Sequence, residues 1–468
     1  MVTLQKKWYS GLRHFWIFIP AFLLFRTVNH YSVNIPWSDD YDAILSSLLD
    51  FKKATGFHEK FRLLFAQHNE HRIFFSRLVW LSCHTLFGHL NFRLLTFLGD
   101  IQVLITFFIS IYFIRRAVPK YWSLLAFVWG LCLFDLNTYE NAGVAMTSMA
   151  NNSVVMWFFI SLYFYSKEKR AYLPAAALAQ FLCVYSSGNG NIGSLILAGY
   201  ALFTGDRLKC WCAVAVLVIF TPLYFVGYYT PGHETIPRTP EGMVRFFLGM
   251  AGSHFNHPHG ARVAILLLLI LALVFPYKAL SRPFSFRTFS FRTFFFTKRE
   301  REDQLLLPII FILAFVIATM AAAGVFRSNV VGVAYFGSKY LIYPNLMDAI
   351  IFLLIVRKLF PSPAASHTAP AALSTGTPPA AHATGPAILP ARKRPITTTL
   401  IKWRWAIISG CMIALLCAYA HNYEIGDHDF ASEHNKLINW YYYFPDATRA
   451  KMLTEEACKA GIYCRPHQ

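Results

Sequence analysis

The chain reads as all-α, a polytopic bundle of transmembrane helices, and three observations carry that reading. Of its 468 residues, 56% are hydrophobic and 14% charged, where an average soluble chain has roughly 25% charged. Long stretches are nearly free of charge, among them "AILLLLILALVF" (264–275) and "LLLPIIFILAFVIATMAAAGV" (305–325). A helix needs about 20 apolar residues to cross roughly 30 Å of hydrocarbon, and several stretches approach or reach that length. Finally, the formal charge of +19 sits in short Lys/Arg clusters between the apolar stretches, which is the pattern of cytoplasmic loops facing anionic lipid. A water-soluble globule is excluded, membrane lipids become the expected partner of the basic residues, and nucleic acid is not expected as one.

The N-terminal "KKWYSGLRHFWIFIPAFLLF" has a basic start and an apolar middle but no small-residue cleavage site, so an uncleaved first span is expected at about 14–30. Lys6, Lys7 and Arg13 hold its start inside, which puts Asp39, Asp40 and Asp42 of "WSDDYD" (37–42) outside. The next inside anchor is Arg115, Arg116 and Lys120, so an odd number of crossings must separate the two. Residues 93–114 therefore cross as span 2, and 43–65 and 72–87 are helices lying along the outer surface within a first external loop, 31–92. Their interspersed Lys52, Lys53, Lys60, Arg62 and Arg77 suit an interfacial position.

From there the charge alternation is regular. Spans are expected at 121–136, up to 165, 173–187, up to 204, 211–229, up to 277, 305–325, up to Arg357 and 403–420, for a total of about eleven. The outer loop 230–260 holds His233, Glu234, Arg238, Arg245, His254, His257 and His259 without regular metal-ligand spacing. A tandem "SFRTF" at 285–289 and 290–294 falls in a cytoplasmic stretch suited to lipid headgroups. Residues 361–391 are Pro/Ala/Thr-rich and nearly uncharged, a disordered cytoplasmic linker. The expected organisation is a membrane domain at 1–357, a linker at 358–402, and a last span with an external tail at 403–468. Of nine cysteines, Cys458 and Cys464 lie in that polar tail; outside the cytoplasm they can form a local disulfide.

The outer ends of the spans carry the unusual residues. They are the three aspartates; His68, Glu70, His71 and Arg72 of "AQHNEHRIFFSR" (66–77); "NTYENAG" (137–143), with Glu140 and Asn141; "SSGNGN" (186–191), with Asn189; and Arg327 with "GSKY" (337–340), holding Lys339 and Tyr340. The inner ends have plain basic clusters. Each group also has an ordinary reading as a solvated loop, a polar turn or, for Asp42, a helix cap. The polar run His68 to Arg72 between "LLF" and "IFF" is nevertheless costly unless its residues face water or one another. Asp100 and Asp348 fall within expected spans, where a carboxylate costs roughly 2.5–3.5 kcal/mol and calls for a partner or a water-filled pocket.

The order of these motifs resembles the polytopic, lipid-phosphate-sugar-dependent glycosyltransferases of the GT-C fold. An acidic pair follows span 1 (Asp39, Asp40), and "RLVWLSCHTLFGHLNFRL" (77–94) leads into span 2. A subset of bacterial members is similar in more detail: His68 to Arg72 match its "HNEHR", Glu140 and Asn141 its "EN" stretch, Gly188 to Gly190 its "GNG" turn, and Arg327 with Ser338, Lys339 and Tyr340 its late "R…SRY". Lys339 stands where that pattern has arginine, which keeps the charge and loses the bidentate fork. The resemblance covers residues 1–345.

It implies a GT-C-like enzyme of the bacterial inner (plasma) membrane, with an active site facing the periplasm or exterior. A sugar would move from a polyprenyl-phosphate donor to a glycan or lipid acceptor. Asp39 or Asp40 is then the base, and His71, Arg72, Arg327 and Lys339 are the cations for the phosphate. His68 and Glu70 orient the acceptor, while Glu140, Asn141, Asn189 and Tyr340 complete the binding set. Some relatives use a divalent metal, Mg or Mn, beside the acids. Two rival classes remain: a transporter or lipid flippase centred on Asp100 and Asp348, and an O-antigen ligase or polymerase centred on the 230–260 loop.

Overall fold

The computed structural model describes residues 14–230, 239–255, 260–277, 301–328, 338–361, 398–439 and 446–465. The described residues are 82% helical, and one two-stranded hairpin is the sheet among them. Lys6, Lys7, Arg13, the "SFRTF" repeat, the Pro/Ala-rich linker from 362, and His233, Glu234, Arg238, His257 and His259 lie outside the described residues.

Five helices among the described residues are long and apolar enough to cross a membrane: Phe92–Ala117, Arg207–Phe225, Leu305–Arg327, Ser338–Leu359 and Ile401–Ile438. The other apolar stretches also fold as helices, but shorter ones: Ile19–Tyr31, Trp122–Leu133, Ser153–Tyr165, Arg170–Val184, Gly190–Thr204 and Gly260–Val274. At 1.5 Å per residue, twelve to fifteen residues rise about 18–23 Å, less than the roughly 30 Å of a bilayer core. Irregular turns extend some of them. A 3-10 turn, Phe15–Phe18, leads into Ile19–Tyr31, and Ala145–Thr147 continues through a π turn, Ser148–Asn152, into Ser153–Tyr165. The apolar faces left uncovered, such as Trp211 (70% exposed) and Trp403 (67%), have the chemistry of a lipid-facing surface.

The core is continuous through Ser153–Tyr165, Gly190–Thr204, Arg301–Arg327 and Ile342–Leu359. Phe158 stacks on Phe315 at 4.1 Å, and Ile342–Leu359 is buried along almost all of its length. Small residues let elements approach: a Cβ on Gly99 would run into the side chain of Ser148.

The two ends of the bundle differ chemically. At one end basic side chains cap the bundle: Arg357 Nη1 donates to the Ala117 carbonyl at 2.8 Å, Lys209 Nζ donates to the carbonyls of Tyr165 (2.9 Å) and Lys167 (2.6 Å), and Lys167 sits 3.7 Å over the Tyr163 ring. At the other end lies the 31–92 loop. Helices occupy the intervals expected for it, a π turn Tyr41–Ser46 continuing as Ser47–Lys53, then Phe57–Phe65 and Phe74–Phe87. The last stops at Gly88, whose φ of 73° suits a residue without Cβ.

The C-terminal helix is longer than the expected 403–420. Thr398–Ile438 runs 41 residues, about 60 Å at 1.5 Å per residue, and its far half packs on the first helix. Tyr423 and Thr27 share a hydrogen bond of 2.9 Å, and Tyr31 donates to Asp427 at 3.2 Å. The tail then folds onto the first loop: Leu90 N donates to the Ile462 carbonyl and Tyr463 Oη to the Asn34 carbonyl, both at 2.8 Å, beside a Cys458–Cys464 disulfide. Tail and first loop share one end of the bundle.

Candidate functional site

The two neighbouring aspartates have different surroundings. Asp40 is 1% exposed. Its Oδ2 accepts from Trp37 N at 2.9 Å and its Oδ1 from Met146 N at 2.7 Å, so both oxygens tie the first loop to the 145–152 turns. Burial pushes its carboxyl up to about 7 against the pull of those N–H donors. Asp39 is partly exposed, and no hydrogen bond or ion pair among the described residues engages its carboxylate. Its charge acts on His68, Glu140 and Lys339. Residues far apart in sequence thus meet around it.

The "HNEHR" run forms a β-hairpin. Gln67–His68 pairs antiparallel with His71–Arg72, and Asn69 makes the turn with φ 47°, a conformation Asn tolerates better than most residues. Tightening the polar run into a hairpin points its side chains at separate partners. Glu70 Oε2 takes Arg327 Nη2 at 3.0 Å, bridging to the end of Arg301–Arg327. Burial raises the Glu70 carboxyl, but Arg327 and then His71 outweigh it and the net direction is down. His71 Nδ1 accepts the Gly188 N–H at 3.1 Å, which fixes the "GNG" turn. Burial, with Arg327 nearby, lowers the ring to about 4. His71 is therefore neutral at pH 7, with its proton on Nε2; it is a positioning group there and carries no charge for a phosphate.

Arg72 is also committed. Its Nε donates to the Tyr224 carbonyl at 2.6 Å, and its Nη atoms donate to the carbonyls of Phe65 and Val226 at 2.5 Å. Two of those carbonyls end the helix Arg207–Phe225, where a cation suits the dipole. The guanidinium locks the hairpin to that helix.

The remaining expected residues form a second clamp. Glu140 N donates to Ser338 Oγ at 3.0 Å and Asn141 Nδ2 to the Lys339 carbonyl at 2.8 Å. Burial raises the Glu140 carboxyl, with Lys339 opposing. Asn189 Nδ2 donates to Tyr343 Oη at 2.6 Å. Lys339 Nζ lies 5.8 Å from the centre of the Tyr340 ring. Lys339 is thus the cation that accompanies Asp39 and Glu140, and Arg327, paired with Glu70, is close enough to act on Lys339.

One buried constellation was not anticipated. His254 Nε2 lies 3.2 Å from Asp135 Oδ2 and its Nδ1 2.7 Å from Asp348 Oδ2; Asn422 Nδ2 donates to Asp135 at 3.0 Å and to the His254 carbonyl at 2.8 Å. Burial pulls the imidazole down, yet the bonds to Asp135 and Asp348 prevail and hold it protonated up to about 10. Asp348 therefore has the partner its position demanded. Asp100 has none among the described residues: both its oxygens are buried and unbonded.

A divalent metal finds no ligand set among the described residues, where no group of three His, Cys, Asp or Glu is arranged to hold one. Asp40, one of the expected acids, already has both oxygens on backbone N–H groups. Comparison with protein-family models and with curated proteins gives no match for this chain.

Proposed function

We propose that this membrane protein is a glycosyltransferase of GT-C type, with about eleven crossings counting the shorter apolar helices, that moves a sugar from a polyprenyl-phosphate donor to an envelope glycan, lipid or protein at the outer face. The observation that carries the reading is Asp39: a partly exposed carboxylate without a hydrogen-bonding partner among the described residues, whose charge acts on Lys339 and His68 at the loop-bearing end of the bundle. Such a group suits a base, and Lys339 with Arg327 suits the leaving phosphate. The acceptor hydroxyl gives its proton to Asp39 as its oxygen bonds to the anomeric carbon. The bond from that carbon to the phosphate oxygen breaks, and Lys339 and Arg327 stabilise the released polyprenyl phosphate.

The orientation rests on the basic cap at the opposite end, which belongs inside, and on the tail disulfide, which belongs in an oxidising compartment. A flippase is the second reading, and the buried Asp135–His254–Asp348 group favours it, since transporters place ionisable groups deep in the bundle. Mass spectrometry of envelope glycans from cells with the gene, without it, and with Asp39→Asn separates the two. A single missing sugar in the last two strains, with the variant expressed normally, is the expected result. Full glycans with Asp39→Asn would remove Asp39 as base.

A further inference from the structure

Beside Asp39 the first loop encloses a second feature, a cleft of about 290 Å³, close to the lower end of the roughly 300–1,000 Å³ usual for small-molecule sites. Its walls are the helices Ser47–Lys53, Phe57–Phe65 and Phe74–Phe87 and the hairpin, and the tail closes it through Arg449. His68 lines it and also feels the charges of Asp39 and Arg77, so the cleft adjoins the carboxylate read as the base.

Two side chains of its lining have a buried polar atom with no partner among the described residues, Arg77 Nε and Trp80 Nε1. Arg77 is 6% exposed and Trp80 0%. Orphaned buried donors are uncommon and need an explanation. Arg77 Nη1 is held by the carbonyls of Leu64 and Ala66, so the guanidinium is fixed in place while Nε stays unbonded. Formal charge in the cleft balances: Arg449 pairs with Asp42 at 2.9 Å, and Asp50 offsets Arg77. A phosphate would face two carboxylates, and an alkyl chain would leave both donors unsatisfied. A neutral ligand with several hydroxyls, each able to donate and accept, satisfies donors and carboxylates together.

We propose that this cleft is the acceptor subsite and takes one neutral sugar residue of the acceptor glycan, with Arg77, Trp80 and Asp50 bonding its hydroxyls and His68 turning one of them toward Asp39. The assignment of the bound sugar as acceptor rests on the transferase reading; the affinity of the cleft for a neutral sugar does not.

The test uses the full chain in lipid nanodiscs and the methyl glycosides of glucose, galactose, mannose and N-acetylglucosamine, with binding read by saturation-transfer NMR. At least one should bind the wild type. Ser46→Trp, which fills the cleft, and Asp50→Asn, a change at an exposed position that leaves folding intact, should each weaken it at least tenfold. No binding by any of the four, binding unchanged in both cleft variants, or displacement by inorganic phosphate would overturn the proposal. If the cleft variants lose binding while gene deletion leaves the envelope glycans complete, the cleft stands as a sugar site, and the transferase reading fails together with the acceptor role.

Discussion

His254 Nδ1 stands 2.7 Å from Asp348 Oδ2 while its Nε2 faces Asp135, so one protonated ring joins two buried carboxylates contributed by segments 94 and 119 residues away. Removing one member of such a group leaves uncompensated charge in the interior, at a cost of about 3–5 kcal/mol. His254→Ala should therefore lower the melting temperature in detergent sharply, and an unchanged melt would count against the network. The ring's value of about 10 exceeds the unfolded one of about 6.5. Its contribution is thus complete below about 6.5 and is lost as pH rises through 10. Because Asp348 holds the fold together, a transport assay on Asp348 variants needs a melting measurement beside it.

Asp39 and Asp40, adjacent in sequence, should separate in their effects. Asp39→Asn keeps the shape and has no described bond to lose, so the melt should stay within about 0.5 kcal/mol of wild type while sugar transfer disappears. Asp40→Asn leaves one oxygen for two N–H donors, Trp37 and Met146. An orphaned buried donor costs about 1–3 kcal/mol, so this variant should lose stability first and activity as a consequence. The reverse order would exchange their roles.

His71 gives a pH prediction. Burial and Arg327 hold it at about 4 in the folded chain, below an unfolded value of about 6.5. The unfolded state binds more protons in that window, so this contribution to stability is complete above 6.5 and is lost as pH falls toward 4. Asp40, raised to about 7, acts with the opposite sign across an overlapping range: its folded value is above the unfolded one, so its contribution falls as pH rises from about 4 to 7. The comparison to make is wild type against His71→Asn, whose difference should shrink from pH 7 to pH 4.5. A constant difference would mean that burial and Arg327 do not hold the folded ring below its unfolded value.

Much of this was legible because it depends on local composition. Apolar runs marked the helices, Lys/Arg clusters marked one end, and at the other end residues of the polar runs 68–72, 137–143 and 186–191 contact Arg327, Ser338, Lys339 or one another. What stayed hidden depends on long-range contacts. Nothing in "LFDLNT" or "GSHFNH" announces that Asp135 and His254 bond each other, nor that Asn422, 287 residues beyond Asp135, completes the group. The role of Arg72 was equally hidden, since a cation in a loop looks the same whether it awaits a phosphate or caps Tyr224 and Val226. Helix length was misjudged where π and 3-10 turns interrupt regular geometry, because those turns leave the apolar count unchanged.

The Glu70–Arg327 pair is about a quarter exposed on each side, so solvent screens it, and a pair of this kind contributes about 0–1 kcal/mol. Arg327→Ala should change the melt little. If Arg327 steadies the leaving phosphate, turnover should fall by two orders of magnitude or more, with Arg327→Lys recovering part of it because charge survives and the fork does not. A wild-type rate in Arg327→Ala would assign the residue to hairpin docking alone.

Asp100 offers the converse of His254. It is 1% exposed within Phe92–Ala117, and neither oxygen has a bond among the described residues. A carboxylate in that setting costs up to about 2.5–3.5 kcal/mol, and a network that would repay the cost, like the one around Asp348, is not present in the described residues. Asp100→Asn keeps the volume and removes the ionisable group, so the melting temperature should rise and sugar transfer should remain. A lower melting temperature would mean that a bound ion or water satisfies the carboxylate. Loss of transport with an unaltered melt would instead favour the flippase, in which an unpaired acid inside the bundle is the working group.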